Sequence, residues 1–399
     1  MSSAERGGAQ RERSEALRIC VVGSGTRFLS GISVYTNRLA NALATHHQVS
    51  VILMRQLLPA RLYPGHARVG KQLDRLEYDP AVRVFDGIDW FWLPSMLRAI
   101  GFMLRQRPDM VILQWWTGTV FHSYLMLVLV ARLLGARVIV EFHESLDTAE
   151  DRVPLAGGYV RIVAPAILRL SSGFAFHAQS EVTAVSERYR LPRRPSRVLP
   201  HGPHDHYVTA GEGVQRWREA PPEARNILFF GIIRPFKGLE DLVQAFEQLC
   251  DLSPDGYWLT VVGETWEAWT LPSELIAASR WRQRITFENR YVHDDEVAAI
   301  FEGADIVALP YRRSAISGPV HVAMGFGRPL VVTAVGGLAE SVAGYGGAVL
   351  TDPGDVDALA RAVERAGQMT DGPYPHPQTW DATLGAYDDL FAAIRGADR

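Results

Sequence analysis

The chain has 399 residues, 47% of them hydrophobic and 21% charged, with a formal net charge of −3. That length exceeds one ordinary core, so two domains are expected, and the near-balanced charge excludes nucleic acid as a main partner. Cys20 and Cys250 stand alone in sequence; two isolated thiols make neither a disulfide framework nor a metal-ligand spacing and suit a reducing cytoplasm.

The first sixteen residues, MSSAERGGAQRERSEA, are small and charged. Without an apolar core they read as a disordered arm and not as a signal peptide. From Leu17 the pattern becomes strand, loop, helix: LRICVVG, then SGTRFLSG, then ISVYTNRLANAL. Short apolar runs follow at VSVILM, VRVF, DMVILQ, RVIVEFH, GFAFH and RVLP, separated by helical stretches such as SMLRAIGFMLRQR and SEVTAVSERYR. Continuous apolar strands alternating with helices predict a parallel, doubly wound α/β sheet over residues 17–200. The longest apolar run, Thr119–Leu134, is interrupted by His122 and Arg132 and falls short of the roughly 20 residues of a membrane-spanning helix, so a buried helix is expected.

Residues 201–225 are rich in Gly, Pro and polar side chains and predict an interdomain linker. Its His201, His204, Asp205 and His206 match no standard zinc spacing and read as solvent-facing or hinge residues, so no metal site is expected. A second strand–helix series runs from NILFFG through DVDALARAVERAG, giving a second α/β domain over 226–377. The tail, 378–399, carries Trp380, Leu384, Tyr387, Phe391 and Ile394 at helical spacing, an apolar stripe that needs a partner.

Ligands of open α/β sheets sit beyond the carboxyl ends of the strands. There, Ser317-Gly318-Pro319 opens a helix, with small N-cap residues and a proline suited to the first helical position. Such an opening presents backbone N–H groups and a helix dipole to a phosphate. Arg234 and Lys237 follow the strand NILFFG, with Gly238 opening the next helix, and would bring two cations to the same place. In the first domain Gly23, Gly25 and Gly31 lie between strand and helix, but not as GxGxxG, so a dinucleotide cofactor is weakly supported and none is expected. His143, with Glu141 and Glu144 beside it, ends a strand at the inferred cleft, as a catalytic or a structural histidine. Asp294, Asp295 and Glu296 are explained as charges at a helix start.

The segments FFGIIRPFKGLEDLVQAF, RYVHDDEVAAIFEGADIVALPY and SGPVHVAMGFGRPLVVTAVGGLAE, in this order, resemble the retaining glycosyltransferases of family four, the glycogen-synthase-like and mannosyltransferase-like group. The resemblance spans nearly the whole chain and implies the GT-B fold, two Rossmann-like domains facing a cleft. It implies that Arg234 and Lys237 hold a donor diphosphate and that Ser317 and Gly318 bind phosphate through their backbone. It further places Arg290 and Tyr291 along the nucleotide base, Gly31 in the loop that closes on the donor, and His143 near the transferred sugar. The tail helix would cross back to the first domain. The sequence departs from the family at Ser314 and Val322, where many members carry two glutamates that hold the donor's sugar and ribose. Glu340 is a candidate replacement carboxylate, or else a charge at a helix start.

The implied reaction is metal-independent hexosyl transfer with retention, from a nucleotide diphosphate sugar to a glycan, lipid-linked or small-molecule hydroxyl. No side chain stands out as a covalent nucleophile, so front-face displacement is the implied route. A sugar-nucleotide epimerase of the same fold and a catalytically inactive binding or scaffold protein are the alternatives. A cytoplasmic location follows, with peripheral contact at the inner face of the membrane as one reading of Trp90, Phe91, Trp92, Trp115 and Trp116; an aromatic core or sugar-stacking cleft is the other.

Overall fold

The computed structural model describes residues 16–25, 31–56, 77–89, 93–143, 154–210, 215–266, 269–313 and 317–397. Nearly all of the expected arm, Trp90–Trp92, Glu144 and Ser314 lie outside these residues.

The first sheet has seven strands in the order β3-β2-β1-β4-β5-β6-β7: β1 (Arg18–Ser24), β2 (Gln48–Gln56), β3 (Arg83–Asp89), β4 (Met110–Trp115), β5 (Arg137–Phe142), β6 (Gly173–Phe176) and β7 (Ser196–Val198). All pairings are parallel. The order reverses between β1 and β4, so the chain leaves a crevice there at the strand ends. Helices α1 (Gly31–Ala44), α2 (Leu93–Gln106), α3 (Phe121–Leu133), α4 (Pro154–Leu170) and α5 (Gln179–Tyr189) make the crossovers. On one face α2 to α5 bury an apolar layer with Trp115, Phe121, Phe142 and Phe176. The other face is covered by α1 and by the last helix, α13 (Trp380–Gly396).

After α6 (His206–Ala210) comes a second parallel sheet of six strands, ordered β10-β9-β8-β11-β12-β13. It comprises β8 (Arg225–Phe230), β9 (Tyr257–Val262), β10 (Ile285–Glu288), β11 (Ile306–Leu309), β12 (Leu330–Thr333) and β13 (Ala348–Thr351). Its helices are α7 (Leu239–Leu252), α8 (Leu271–Ala278), α9 (Asp294–Gly303), α10 (Gly318–Gly325), α11 (Gly337–Ser341) and α12 (Val356–Gly367). The switch point lies between β8 and β11. Both sheets are thus doubly wound, as the alternation of apolar strands and helices predicts.

The apolar stripe of the tail finds its partner in the first domain. Leu384, Tyr387, Leu390, Phe391 and Ile394 are buried with Leu39, Leu43, Val51 and Ile112. Ile394 enters so closely at the start of β6 that a Cβ on Gly173 would lie 2.6 Å from its Cδ1.

One expectation is qualified, one of two readings is decided, and one expectation is overturned. The apolar run at Thr119–Leu134 becomes α3, which buries one side against the sheet and leaves Leu129 and Leu133 in solvent. Trp115 is core, packed on Phe121 and Phe142, while the half-buried Trp116 donates its indole N–H to the Tyr124 hydroxyl; neither is an interfacial aromatic. The linker histidines His201 and His204 are buried, because the linker threads between α13 and α10: Trp380 donates to the carbonyl of Pro203 and Thr383 to that of Pro200. Among the described residues, no helix is long and apolar enough to cross a membrane.

Candidate functional site

In the second domain the strand ends come together through glycine. Gly263, at φ +157, lies where a Cβ would sit 1.9 Å from the carbonyl oxygen of Gly231. Gly231, at φ +117, would place its Cβ 3.5 Å from Pro319 at the start of α10. This close approach brings the turn after β8 next to the helix opening. Arg234-Pro235-Phe236-Lys237 forms a 3-10 turn ended by Gly238 at φ +64, where a Cβ would meet the Pro310 carbonyl at 2.1 Å. The Arg312 N–H donates to the Phe236 carbonyl at 2.8 Å, locking this turn to the exit of β11.

The result is a cluster of cations. Arg234, Lys237 and Arg313 lie 5.0, 5.4 and 5.3 Å from the centroid of the Phe236 ring, and Lys237 Nζ is 3.6 Å from that of Tyr311. Arg312 is spent elsewhere: its guanidinium is held by Glu240 and Asp241 at 2.7 and 2.6 Å. Ser317 is the N-cap of α10, but its hydroxyl makes no capping bond and lies 3.4 Å from the Tyr311 hydroxyl. The first turn of the helix therefore keeps its amide character next to Lys237's aromatic neighbour, which is the geometry an anion needs. The structure places Arg234, Lys237, Ser317 and Gly318 near one another, with Arg313 beside them.

Val322 is buried within α10 and offers no carboxylate. Glu340, on α11, reaches the first domain instead: its carboxylate accepts from the backbone N–H groups of Gln179 and Ser180 at 2.5 and 2.9 Å. Those amides open α5, whose own N-cap is Ala178 and has no side chain to cap with. Burial would push the Glu340 carboxyl up, but these hydrogen bonds hold it below its usual value.

Arg290 is held by Glu296 at 2.6 Å and Glu288 at 3.1 Å, with Tyr291 beside it at the start of α9. Asp294, Asp295 and Glu296 do occupy the first turn of α9, and Glu296 completes a capping box with His293. A cavity of about 490 Å³ adjoins Arg290, lined by Arg216, Trp217, Val262, Glu296 and Ile300 among others; Arg234, Lys237, Ser317 and Gly318 do not line it.

The first-domain half is organised by a buried carboxylate. Glu141, fully inaccessible on β5, accepts at Oε1 from the Tyr35 hydroxyl at 2.7 Å and the Tyr387 hydroxyl at 2.6 Å. Gln114 Nε2 donates to Oε2 at 3.4 Å. His143 Nε2 stands 3.3 Å from Oε2 and His177 Nε2 3.2 Å from Oε1. His177 Nδ1 lies 3.3 Å from the Leu199 carbonyl, so this ring is oriented from both sides. Burial by itself would raise the Glu141 carboxyl, yet His143 and His177 hold it well below the usual carboxylate range. Burial would likewise lower both imidazoles. For His177 the bond to Glu141 and the nearby charges of Glu141 and Glu181 win and its pKa is raised; for His143 burial wins and its pKa is lowered. The shifts point the same way: Glu141 favours its carboxylate, His177 is helped to hold a proton, and burial opposes one on His143 at the cleft end of β5.

Among the described residues, Glu141, His143 and His177 form the one group of donors close enough for a metal, with ligand atoms within 4.8 Å of one another. Both tyrosine hydroxyls donate to Oε1 and Gln114 to Oε2, so hydrogen bonds and the two neighbouring imidazoles already surround the carboxylate. The sequence pointed to His143 but missed Glu141, His177, Tyr35 and Tyr387 as a unit. The signal was a single acid inside the apolar strand RVIVEF.

A line of rings joins the two halves. His143 to His177 is 4.8 Å between centroids, His177 to His201 5.3 Å, and His201 stacks on His321 of α10 at 4.3 Å and 20°. His204 lies 6.0 Å from His321, and its Cε1 is 3.5 Å from where a Cβ of Gly318 would be. Gly31 opens α1, where a Cβ would meet no atom of the described residues within 4 Å.

Comparison with known proteins agrees with this architecture. The family model described as "Glycosyl transferase 4-like domain" matches residues 30–202, and that described as "Glycosyl transferases group 1" matches residues 224–368. The chain is 26% identical over 303 residues to the 2-deoxystreptamine glucosyltransferase of Streptomyces kanamyceticus, covering 72% of this chain and 75% of that protein. It is also 26% identical over 408 residues to the D-inositol 3-phosphate glycosyltransferase of Segniliparus rotundus, covering 94% and 86%. Among solved structures, sucrose-phosphate synthase from Thermosynechococcus elongatus superposes with a TM-score of 0.63 at 19% identity, covering 94% of each chain. The UDP-forming α,α-trehalose-phosphate synthase of Burkholderia xenovorans, solved with glucose-6-phosphate, gives 0.59 at 13%, covering 95% and 96%. With one family model on each sheet domain and a GT-B neighbour over nearly its full length, the chain belongs to the group 1, GT4-like glycosyltransferases and is an enzyme of that class.

Proposed function

We propose that the chain transfers a hexosyl group from a nucleotide diphosphate sugar to an acceptor hydroxyl with retention at the anomeric carbon. The observation that carries this reading is the cation cluster of Arg234, Lys237 and Arg313 around Phe236, set against the opening of α10 and facing the domain that holds His143. Unit charges 4 Å apart are worth about 4 kcal/mol at an effective dielectric of 20, against roughly 0.3–1 kcal/mol for a helix terminus. The cations supply the affinity for the diphosphate, and the amides at Ser317 and Gly318 orient it. As the glycosidic bond breaks, charge grows on the departing phosphate, where these fixed donors stabilise it without reorganising. His143, kept neutral beside Glu141, donates or accepts a hydrogen bond at the sugar, and the leaving phosphate takes the acceptor's proton.

The similar proteins support a uridine donor and a small polyhydroxylated acceptor, since one structural neighbour is UDP-forming and two relatives are named for 2-deoxystreptamine and inositol phosphate. Glu340 stays on the amides of α5 in this reading and holds the two domains together over the bound donor. The test is thermal stabilisation by UDP-, GDP-, ADP- and dTDP-sugars, followed by NMR of the product's anomeric centre. One nucleotide at about 100 times its dissociation constant adds roughly 2.7 kcal/mol to the wild type, and R234A/K237A loses that gain. Full donor turnover by R234A/K237A would sink the site assignment, and an inverted anomer would sink retention.

A further inference from the structure

The outer surface of the first domain has a composition that the transfer reaction does not use. Helices α2, α3 and α4 lie side by side over one face of the seven-stranded sheet, each burying one side in the same apolar layer. Their sequences, LPSMLRAIGFMLRQ, FHSYLMLVLVARL and PLAGGYVRIVAPAILRL, contain no aspartate or glutamate. They carry Arg98, Arg105, Arg132, Arg161 and Arg169, all exposed, in a chain whose net charge is −3. The same helices expose Leu93, Leu97, Leu104, Leu129, Leu133 and Ile162, with Leu133 at 87% and Ile162 at 78% accessible. These are six of the eleven large hydrophobic side chains exposed among the described residues. Along α2 the apolar positions 93, 97, 100 and 104 make one continuous stripe, flanked by Arg98 and Arg105.

Crossover helices on one face of a parallel sheet run alongside one another, so their outer sides form a broad, nearly flat surface. Large aliphatic side chains ringed by arginines, without any acid, fit a surface that is apolar below and anionic at its rim. We propose that the α2–α3–α4 face docks this enzyme on an anionic lipid bilayer, the leucines entering the headgroup boundary and the arginines pairing with lipid phosphates. A second copy of the chain fits less well, because two-fold pairing of this face would set arginines against arginines. The proposal stands apart from the transfer reaction, since binding needs neither donor nor acceptor.

The test is co-sedimentation of the full chain with vesicles of phosphatidylglycerol and phosphatidylcholine in equal parts, and with phosphatidylcholine alone, without any nucleotide sugar. The chain pellets with the anionic vesicles, releases as salt rises, and stays in solution with the neutral ones. L97E/L133E and R98E/R105E each weaken the binding at least about tenfold while leaving the melting temperature and the stabilisation by nucleotide sugar unchanged. A wild-type chain that stays in the supernatant with anionic vesicles overturns the proposal. So does vesicle binding that both variants retain, or a dimer in sedimentation velocity that L97E/L133E dissolves while vesicle binding is absent. Loss of donor stabilisation with vesicle binding intact would instead count against the transfer reading alone.

Discussion

Replacing Glu141 by glutamine tests whether the buried carboxylate organises the first domain. The side chain keeps its shape but loses its charge, so the His177 imidazolium at 3.2 Å is left without a counterion in a site closed to water. Removing one partner of a buried pair costs about 3–5 kcal/mol. Part of this is recovered because His177 gives up its proton, so a loss near 3 kcal/mol is expected, about 6–12 °C in the melting temperature of a domain of this size. The pH dependence follows from the two shifts. The Glu141 pKa is lowered, so its contribution is present above the ordinary carboxylate range and lost as pH falls through the folded value. The His177 pKa is raised, so its contribution is full below the ordinary histidine value and lost as pH rises through the folded one. The pair is worth most between these limits, and the penalty of E141Q must be larger at pH 6 than at pH 9. Scanning calorimetry of both proteins at the two pH values reads this directly. A melting temperature within 2 °C of wild type at pH 6, on the scale of about 0.5–1 kcal/mol, or a penalty that grows toward pH 9, would refute the ion pair.

Three further changes probe the junction between the domains. E340A uncovers the first amides of α5, at a cost of about 1 kcal/mol, the value of a helix cap; its KM for donor should rise more than its stability falls, and equal KM values would disconnect Glu340 from closure. Acid should destabilise the protein through the linker histidines, because His204 and His206 are driven down by burial to about 4 and 3 and their neutral forms support the fold above about pH 6.5. At pH 5 His204 alone accounts for about 2 kcal/mol, read as a drop in melting temperature between pH 7.5 and 5 that H204N reduces. G238A forces a Cβ toward the Pro310 carbonyl at 2.1 Å with φ at +64, so stabilisation by donor should fall as the turn that carries Lys237 shifts; unchanged donor binding would show that the turn tolerates the shift.

What the sequence made legible was whatever is written locally. β4 and β5 announce themselves as apolar runs buried on both faces, and the 3.6-residue stripe from Trp380 to Ile394 announces a docked helix. The meeting of the Arg234–Lys237 turn with the opening of α10 could be anticipated because cap, proline and cations fall within short loops whose places at strand ends the fold dictates. Helix α4 carries Gly157, Gly158 and Pro165, residues that break isolated helices but survive here because Val160, Ala164, Ile167 and Leu168 are buried against the sheet. The Glu141 network, by contrast, was hidden. Tyr387 is 246 residues from the carboxylate it donates to, and Leu199, which fixes His177, arrives from the end of the domain. The linker histidines were misjudged because local polarity says nothing about the two walls, α10 and α13, that close around them.

Those walls connect the donor side to His143. Glu340 binds the opening of α5, and α5 is tied to the end of β6 by Glu181, which accepts from the backbone N–H of His177 at 3.0 Å. His177 in turn faces Glu141, which faces His143. The His201–His321 stack forms a second link, ending on the helix that opens at Ser317. A cap is worth about 1 kcal/mol and a ring pair about 0.5–1.5 kcal/mol, so these two contacts together contribute only a few kcal/mol to bringing the domains together. Donor at 100 times its dissociation constant supplies about 2.7 kcal/mol, which is the same size. Contacts this weak neither lock the cleft shut nor leave it indifferent; they set the two domains where the binding energy of the diphosphate is enough to decide their position.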